Sequence, residues 1–182
     1  MSSKTNTYDV IVRAAESVVV EAGASHMTLD AVATKAGVSK GGLLHHFPTK
    51  MALIEAMINR LIEARRELRK EIWKSLPDSP SRGLKAFMLS TLLRDKKSDL
   101  VGPPLLAALA HNPKLAEPVR EAIKNVFSEI VSSGMKFEKA ALLALAADGL
   151  LLQEILSISP FTEEQRNMVA DELIRLADED IK

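Results

Sequence analysis

The chain has 182 residues, of which 47% are hydrophobic and 26% are charged, and its 24 basic and 24 acidic residues give a net charge of +0. This composition is typical of a globular protein with one large domain or two small ones. The sequence has no Cys, which excludes disulfides, thiolate metal sites and a Cys nucleophile. The N-terminus has no apolar signal segment, and no apolar run reaches the ~18 residues of a membrane span. We therefore expect a cytoplasmic protein.

The zero net charge hides a difference between the two parts of the chain. Residues 1–76 contain 11 basic and 8 acidic residues, whereas residues 77–182 contain 13 basic and 16 acidic ones. Nucleic acid responds to the local field and not to the total charge. The excess is small, but it makes the first part of the chain the better candidate for such a contact.

Apolar residues recur with the helical period of about 3.6 residues, and strand-like alternation is absent. The sequence therefore predicts an all-α fold of about nine helices. In the first part of the chain, helices are predicted to end at Gly23 and to begin after Thr28 and Ser39, whose hydroxyls can cap them. Thr49 is the predicted cap of a long connecting helix over about 49–76.

Proline and polar residues set the predicted boundaries in the rest of the chain. Ser79 before Pro80 predicts a helix start, residues 94–99 are predicted to form a polar connector, and Pro103-Pro104 is predicted to open a short helix. The pattern at 162–165 is that of a capping box. The later helices are predicted over 81–93, 103–111, 112–132, 137–158 and 162–180.

The segment from Thr28 to Leu53 carries the most information. A short capped helix, a glycine turn at Gly37 and a second capped helix after Ser39 form a helix-turn-helix arrangement. The first turn of the second helix then points outward, where base edges would lie. That turn contains Lys40, Gly41 and Gly42.

Three residues of this segment have two interpretations each. Gly41 and Gly42 are each unfavourable in a helix by ~1 kcal/mol relative to Ala. Either this helix start is frayed or tightly packed, or the absence of Cβ atoms lets the backbone approach phosphates or bases. Lys50 is either a solvated charge or, with the free amides at the start of the fourth helix, a phosphate clamp.

Residues 28–53 resemble the DNA-binding region of the tetracycline-repressor-like (TetR/AcrR) family of bacterial regulators. The matching residues are Thr28, Ala31, Val32, Ala33, Ala36, Gly37, Val38, Ser39, Leu43, Phe47, Lys50 and Leu53. The resemblance implies a helix-turn-helix DNA-binding domain over 1–48 and a helical effector-binding and dimerisation domain over 49–182. It implies DNA contacts by Thr28, Ser39, Lys40, Gly41, Gly42, Leu44, His45, His46, Thr49 and Lys50.

One position departs from the family pattern. Leu44 stands where the family commonly has Tyr, and it has no hydroxyl for a phosphate. It could meet a thymine methyl group or merely pack. The resemblance then implies that its neighbours in this helix, Lys40, Gly41, Gly42, His45 and His46, make the contacts with bases. The adjacent His45 and His46 splay their rings and have no third ligand nearby, so we predict no metal site.

For the C-terminal domain, the resemblance implies a small-molecule pocket. Because the candidate lining is mostly apolar, we expect a small hydrophobic or aromatic effector, although the same residue types are typical of a simple core. Asp148 and Gln153 either orient a ligand or pair across a dimer. The candidate effector-binding residues are Met57, Leu61, Phe87, Met88, Leu106, Leu109, His111, Phe127 and Leu152.

The resemblance also implies a homodimer through the last two helices, about 137–158 and 162–180. The first of these is too apolar for one solvated face, so it is covered either by the chain's own core or by a second copy. The cations between Arg60 and Lys74 alternate with Glu residues, which favours a solvated, salt-bridged helix face over a second DNA contact.

The sequence thus predicts a ligand-responsive bacterial transcriptional regulator, a repressor that binds a palindromic DNA operator as a homodimer. We expect no enzyme, no catalytic residues and no cofactor, because none of the four His follows a Glu by three residues and no Ser/His/acid set is evident. The alternative is a helical dimeric interaction protein with weak or lost DNA binding.

Overall fold

The structure is a computed structural model that describes residues 6–93 and 96–179, with the side chains of 96–99 left out. In this part of the chain there are nine α-helices, one 3₁₀ turn and no strand, which confirms the predicted all-α fold. The elements are α1 Thr7–Ala22, α2 Leu29–Ala36, α3 Lys40–His46, α4 Lys50–Ser75, α5 Arg82–Leu92, α6 Lys96–His111, the 3₁₀ turn Pro113–Ala116, α7 Glu117–Ser132, α8 Phe137–Ile155 and α9 Glu163–Leu176.

The chain forms two compact units. The first comprises Met1–Leu61 and Lys96–Val119, and the second comprises Ile62–Asp95 and Arg120–Lys182. The long helix α4 contributes residues to both units. The predicted domain boundary after residue 48 stays a prediction. None of the helices described is long and apolar enough to cross a membrane.

In the first unit, local chemistry fixes the ends of the short helices as predicted. Thr28 Oγ1 accepts a hydrogen bond from the amide of Ala31 at 3.1 Å, and Ser39 Oγ accepts one from Gly42 at 3.0 Å. Gly37 ends α2 in the left-handed conformation, with φ of 67°, which glycine adopts without a Cβ clash. The fully buried residues around which these helices pack are Ile11, Ala15, Val19, Val32, Leu43, Leu53 and Met57.

Helix α6 differs from the prediction. It begins at Lys96, so residues 96–99 are helical, and it continues through Pro103 and Pro104; residues 94 and 95 lie outside the described part. Each proline lacks an N–H and removes one backbone hydrogen bond. Val101 and Leu105 are both 3% exposed, and α6 packs on α1. Their burial on either side of the prolines stabilises a helix that the local sequence disfavours.

Three further predicted boundaries are wrong. Ser79 does not cap α5, because its hydroxyl is engaged with that of Ser81 at 3.0 Å, and Ser81 in turn donates to Asp178. Helix α8 ends at Ile155 and not at residue 158, because Ser157 has a φ of 55° and turns the chain. Helix α9 begins with the predicted capping box but ends at Leu176, short of the predicted end at residue 180.

In the second unit, α5 packs against α8 and α9. Polar links join α8 and α9 at both ends of the pair. Lys139, near the start of α8, is buried and donates to the carbonyl oxygen of Ala177 at 2.9 Å. Arg166, near the start of α9, contacts Glu154 at 2.5 Å and also donates to the carbonyl oxygen of Leu92.

Candidate nucleic-acid interface

Three of the predicted DNA-contacting residues are helix caps. Thr28, Ser39 and Thr49 each accept a hydrogen bond from a backbone amide in the first turn of α2, α3 and α4, at 3.0–3.1 Å. A hydroxyl that accepts such a bond keeps its own proton to donate. Each cap can therefore fix a helix start and still donate to a phosphate oxygen.

Lys40 is the first residue of α3, and its ammonium group forms an ion pair with Asp30 of α2. The Lys40 Nζ atom lies 2.9 and 3.0 Å from the two carboxylate oxygens. Both side chains are exposed, so the pair contributes at most about 1 kcal/mol. The ammonium group of Lys40 could thus exchange Asp30 for the edge of a DNA base at a low cost in free energy. The sequence analysis did not identify this contact, which joins residues ten positions apart.

Lys50 does not fit the reading of a freely solvated charge. Its Nζ donates to the backbone carbonyl oxygen of Ser25 at 2.7 Å, which joins the start of α4 to the turn between α1 and α2. Two of the three ammonium protons stay available for a phosphate. This contact with Ser25 could not be predicted from the sequence, because 25 residues separate the two positions.

The two glycines of α3 have different surroundings. A Cβ atom on Gly42 would lie 3.2 Å from the Ser39 Oγ, so this position is tightly packed against the cap. A Cβ atom on Gly41 would have no neighbour within 4 Å among the residues of 6–93 and 96–179. Packing therefore explains Gly42, whereas none of the residues that the structure describes requires glycine at position 41.

The remaining residues of α3 divide by exposure. Leu43 is fully buried, Leu44 is 37% exposed, His45 is exposed and His46 is half-buried. The two imidazole rings meet edge to face with their centroids 5.5 Å apart. No group of three metal-ligating side chains occurs among the residues that were searched, which are those the structure describes.

We expect Gly41→Ala to raise the free energy of unfolding by up to about 1 kcal/mol, because Ala favours helix and has open space there. If the backbone of Gly41 approaches DNA, the same change should weaken DNA binding. Urea unfolding and a DNA titration measure the two effects. Gly42→Ala is the matched control. The Cβ of an alanine there would lie 3.2 Å from the Ser39 Oγ, so the substitution cannot stabilise α3 without displacing the cap. Unchanged DNA affinity in Gly41→Ala would rule out a close approach.

The nine predicted effector-binding residues divide between the two units, so neither unit contains the whole set. Met57 and Met88 are fully buried core residues of their own units. The rings of Phe87 and Phe127 lie 6.2 Å apart, and His111 Nδ1 lies 2.9 Å from the carbonyl oxygen of Ala107. An effector site formed by this set stays a proposal.

A capped helix-turn-helix with a cation in the outward turn of its second helix defines a class, the helix-turn-helix DNA-binding proteins. Two family models match the chain. "Bacterial regulatory proteins, tetR family" covers residues 11–57, and "Tetracyclin repressor-like, C-terminal domain" covers residues 81–178. The chain belongs to the tetracycline-repressor (TetR) family of bacterial transcriptional regulators, which are typically not enzymes.

Solved structures show the same fold. One described as a TetR-family transcriptional regulator from Rhodococcus sp. has a TM-score of 0.76 at 20% identity and covers 95% of this chain and 99% of its own. A transcriptional regulator from Rhodococcus sp. Rha1 has a TM-score of 0.74 at 26% identity, with 93% and 95% covered. The multidrug binding protein EbrR, complexed with imidazole, has a TM-score of 0.68 at 22% identity, with 93% and 96% covered. No curated protein matches the sequence.

Proposed function

We propose that this protein is a cytoplasmic, ligand-responsive transcriptional repressor that binds a palindromic operator as a homodimer. The observation that carries the proposal is the surface of α3, where Lys40, Gly41 and the exposed Leu44 and His45 surround the buried anchor Leu43. Such a helix can enter a major groove without disturbing its own packing. Base contacts are assigned to Lys40, Gly41, Gly42, Leu44, His45 and His46.

Phosphate contacts are assigned to Thr28, Ser39, Thr49 and Lys50. All four lie at helix starts, where free amides and the positive end of the helix dipole favour anions. Such contacts position the protein on the duplex but do not read its sequence.

A stripe on α8 supports the homodimer. Leu142, Leu145, Gly149 and Leu152 follow a spacing of three and four residues, which places them on one face of α8, and Leu156, the residue after its end, continues the spacing. Leu142 is 63% exposed and Leu145 67% exposed, and a Cβ on Gly149 would meet nothing within 4 Å. The opposite face of α8 packs in the core through Leu143, Ala144 and Ala147. The core thus covers one face of α8 and leaves the apolar stripe for a second copy.

The effector is proposed to act through α4, the long helix that begins in the first unit and ends in the second. A small hydrophobic or aromatic molecule that shifts α4 would change the spacing of the two α3 helices in the dimer. The imidazole complex of the relative EbrR supports small-molecule binding by this fold. A ligand shifts an equilibrium only by binding its two states differently. A bound effector that left operator affinity unchanged within about 0.3 kcal/mol would contradict this mechanism.

Selection of binding sites from a random duplex pool, with the purified ligand-free protein, tests the proposal. We expect enrichment of an inverted repeat and an affinity that falls with rising salt concentration. The alternative, a helical dimeric interaction protein with weak or lost DNA binding, predicts neither enrichment nor a salt-dependent affinity.

Lys50→Ala should weaken binding to all duplexes alike, by about tenfold at moderate salt, because it removes a phosphate contact and no base contact. The slope of log affinity against log salt should become shallower by about one. Lys40→Ala is the matched comparison, since it should alter sequence preference as well. A changed preference in Lys50→Ala would contradict its assignment to a phosphate.

A further inference from the structure

A groove in the second unit has no role in the function proposed above. It has a volume of about 600 Å³ and lies between the end of α4, the start of α5 and the end of α7. This size is within the range of about 300–1,000 Å³ found for small-molecule sites. None of the nine proposed effector-binding residues lines it. Its apolar lining is formed by Gly83, Ala86, Val126 and Ile130.

Cations dominate the charged part of the lining, but most of them have partners. The cations are Arg66, Arg69, Lys70, Lys74 and Arg82, and the acids are Asp78 and Glu129. Arg66, Lys70 and Lys74 each pair with a Glu three residues earlier on α4, at 3.6, 2.6 and 2.7 Å. These pairs confirm the predicted salt-bridged face, and exposed pairs of this kind leave little net attraction for a ligand.

Arg69 is the exception on this face. It is half-buried and makes no hydrogen bond or ion pair with the part of the chain that the structure describes. Burial lowers the pKa of its guanidinium, and the more distant Glu129 opposes this effect. A partly desolvated cation without a partner is unfavourable, and a bound anion would remove that penalty.

Arg82 supplies a second cation in a fixed orientation. Its guanidinium lies 3.6 Å from the ring centroid of Trp73, and its Nε donates to the Trp73 carbonyl oxygen at 2.8 Å. Asp78 approaches one terminal nitrogen at 3.6 Å. Since a guanidinium has five N–H donors, donors remain for a ligand.

We propose that this groove binds a small organic anion with an apolar body. Arg69 and Arg82 bind the anionic group, and Ala86, Val126 and Ile130 contact the apolar body. A small molecule fits the observations better than a nucleic acid does, because the groove is concave and largely apolar and because four of its five cations already have an acidic partner. The site is separate from the proposed effector site, and its test uses no DNA, so either proposal can fail without the other.

The chain contains a single Trp, and this residue lines the groove, so its fluorescence reports on the site itself. The full-length protein is titrated with octanoate, with octan-1-ol and with sodium sulfate. We expect a saturable change in Trp fluorescence with octanoate. Octan-1-ol has the apolar body without the anionic group, and sulfate has the negative charge without the apolar body. Each should therefore bind at least about tenfold more weakly. Octan-1-ol binding as tightly as octanoate, or no saturation with octanoate, would overturn the proposal.

Arg69→Gln should weaken octanoate binding by about tenfold, because it removes a charge-assisted hydrogen bond. Arg69→Lys should recover part of the affinity, which a purely structural role of the side chain would not predict. The control is Lys124→Gln, which removes an exposed cation of α7 that does not line the groove. Equal losses in Arg69→Gln and Lys124→Gln would show that general charge, and not this site, governs binding.

Discussion

Leu145→Glu should convert the proposed homodimer into folded monomers and lower operator affinity by more than about a hundredfold. Leu145 is the most exposed leucine of the α8 stripe, at 67% in the single chain. A two-fold interface contains each substitution twice, and an unpaired buried carboxylate is unfavourable by several kcal/mol. The monomer then presents one α3 helix to the operator where the dimer presents two.

Sedimentation measures the association, and circular dichroism checks that the helices are retained. Ile123→Glu is the control, because Ile123 is also an exposed apolar residue, at 44%, but lies on a different helix, α7. A Leu145→Glu protein that remained dimeric, or an Ile123→Glu protein that dissociated, would place the interface elsewhere.

Leu43→Ala and Leu44→Ala should have very different effects on the free energy of unfolding, although the residues are neighbours on α3. Leu43 is fully buried, and its truncation should lower the free energy of unfolding by about 3 kcal/mol through lost burial and the cavity left behind. Leu44 is 37% exposed, so Leu44→Ala should change it by less than about 0.5 kcal/mol. Urea unfolding of the two variants measures both values, and equal losses would contradict the assignment of inner and outer faces to α3.

Leu44→Tyr extends this test to function. A hydroxyl at this exposed position can donate to a phosphate, so operator affinity should rise by about fivefold, the equivalent of about 1 kcal/mol. Leu44→Phe is the matched control, because it adds the ring without the hydroxyl. A similar gain in both variants would indicate packing against DNA and not a phosphate contact.

The parts of the fold that the sequence predicted correctly depend on interactions within a few residues. Thr28 and Ser39 each cap an amide three residues later, and Thr162 and Gln165 form the predicted capping box. The hydroxyls and the glycine turn act locally, so the positions of α2 and α3 can be read directly from the sequence.

The errors arise where distant residues override a local preference. Pro103 and Pro104 are typical of a helix start, yet they lie inside α6, which is stabilised by burial of Val101 and Leu105 and by packing on α1. The partners of Lys40 and Lys50 could not be predicted either, because each contact joins residues from different helices or turns. The groove beside Arg69 exists only because α4, α5 and α7 come together there.

The polar links at the two ends of the α8–α9 pair have a consequence for assembly. The hydrogen bond of Lys139 joins the start of α8 to the end of α9. The ion pair of Arg166 joins the start of α9 to the end of α8. Because both links lie within one copy of the chain, we expect the surface that carries the stripe to be preorganised before a partner binds. Ordering a flexible interface can cost about 0.5–1.5 kcal/mol per immobilised side chain, and a preorganised surface avoids much of that loss. We expect two copies to dock as rigid bodies, at a rate set by encounter and orientation and not by a folding step.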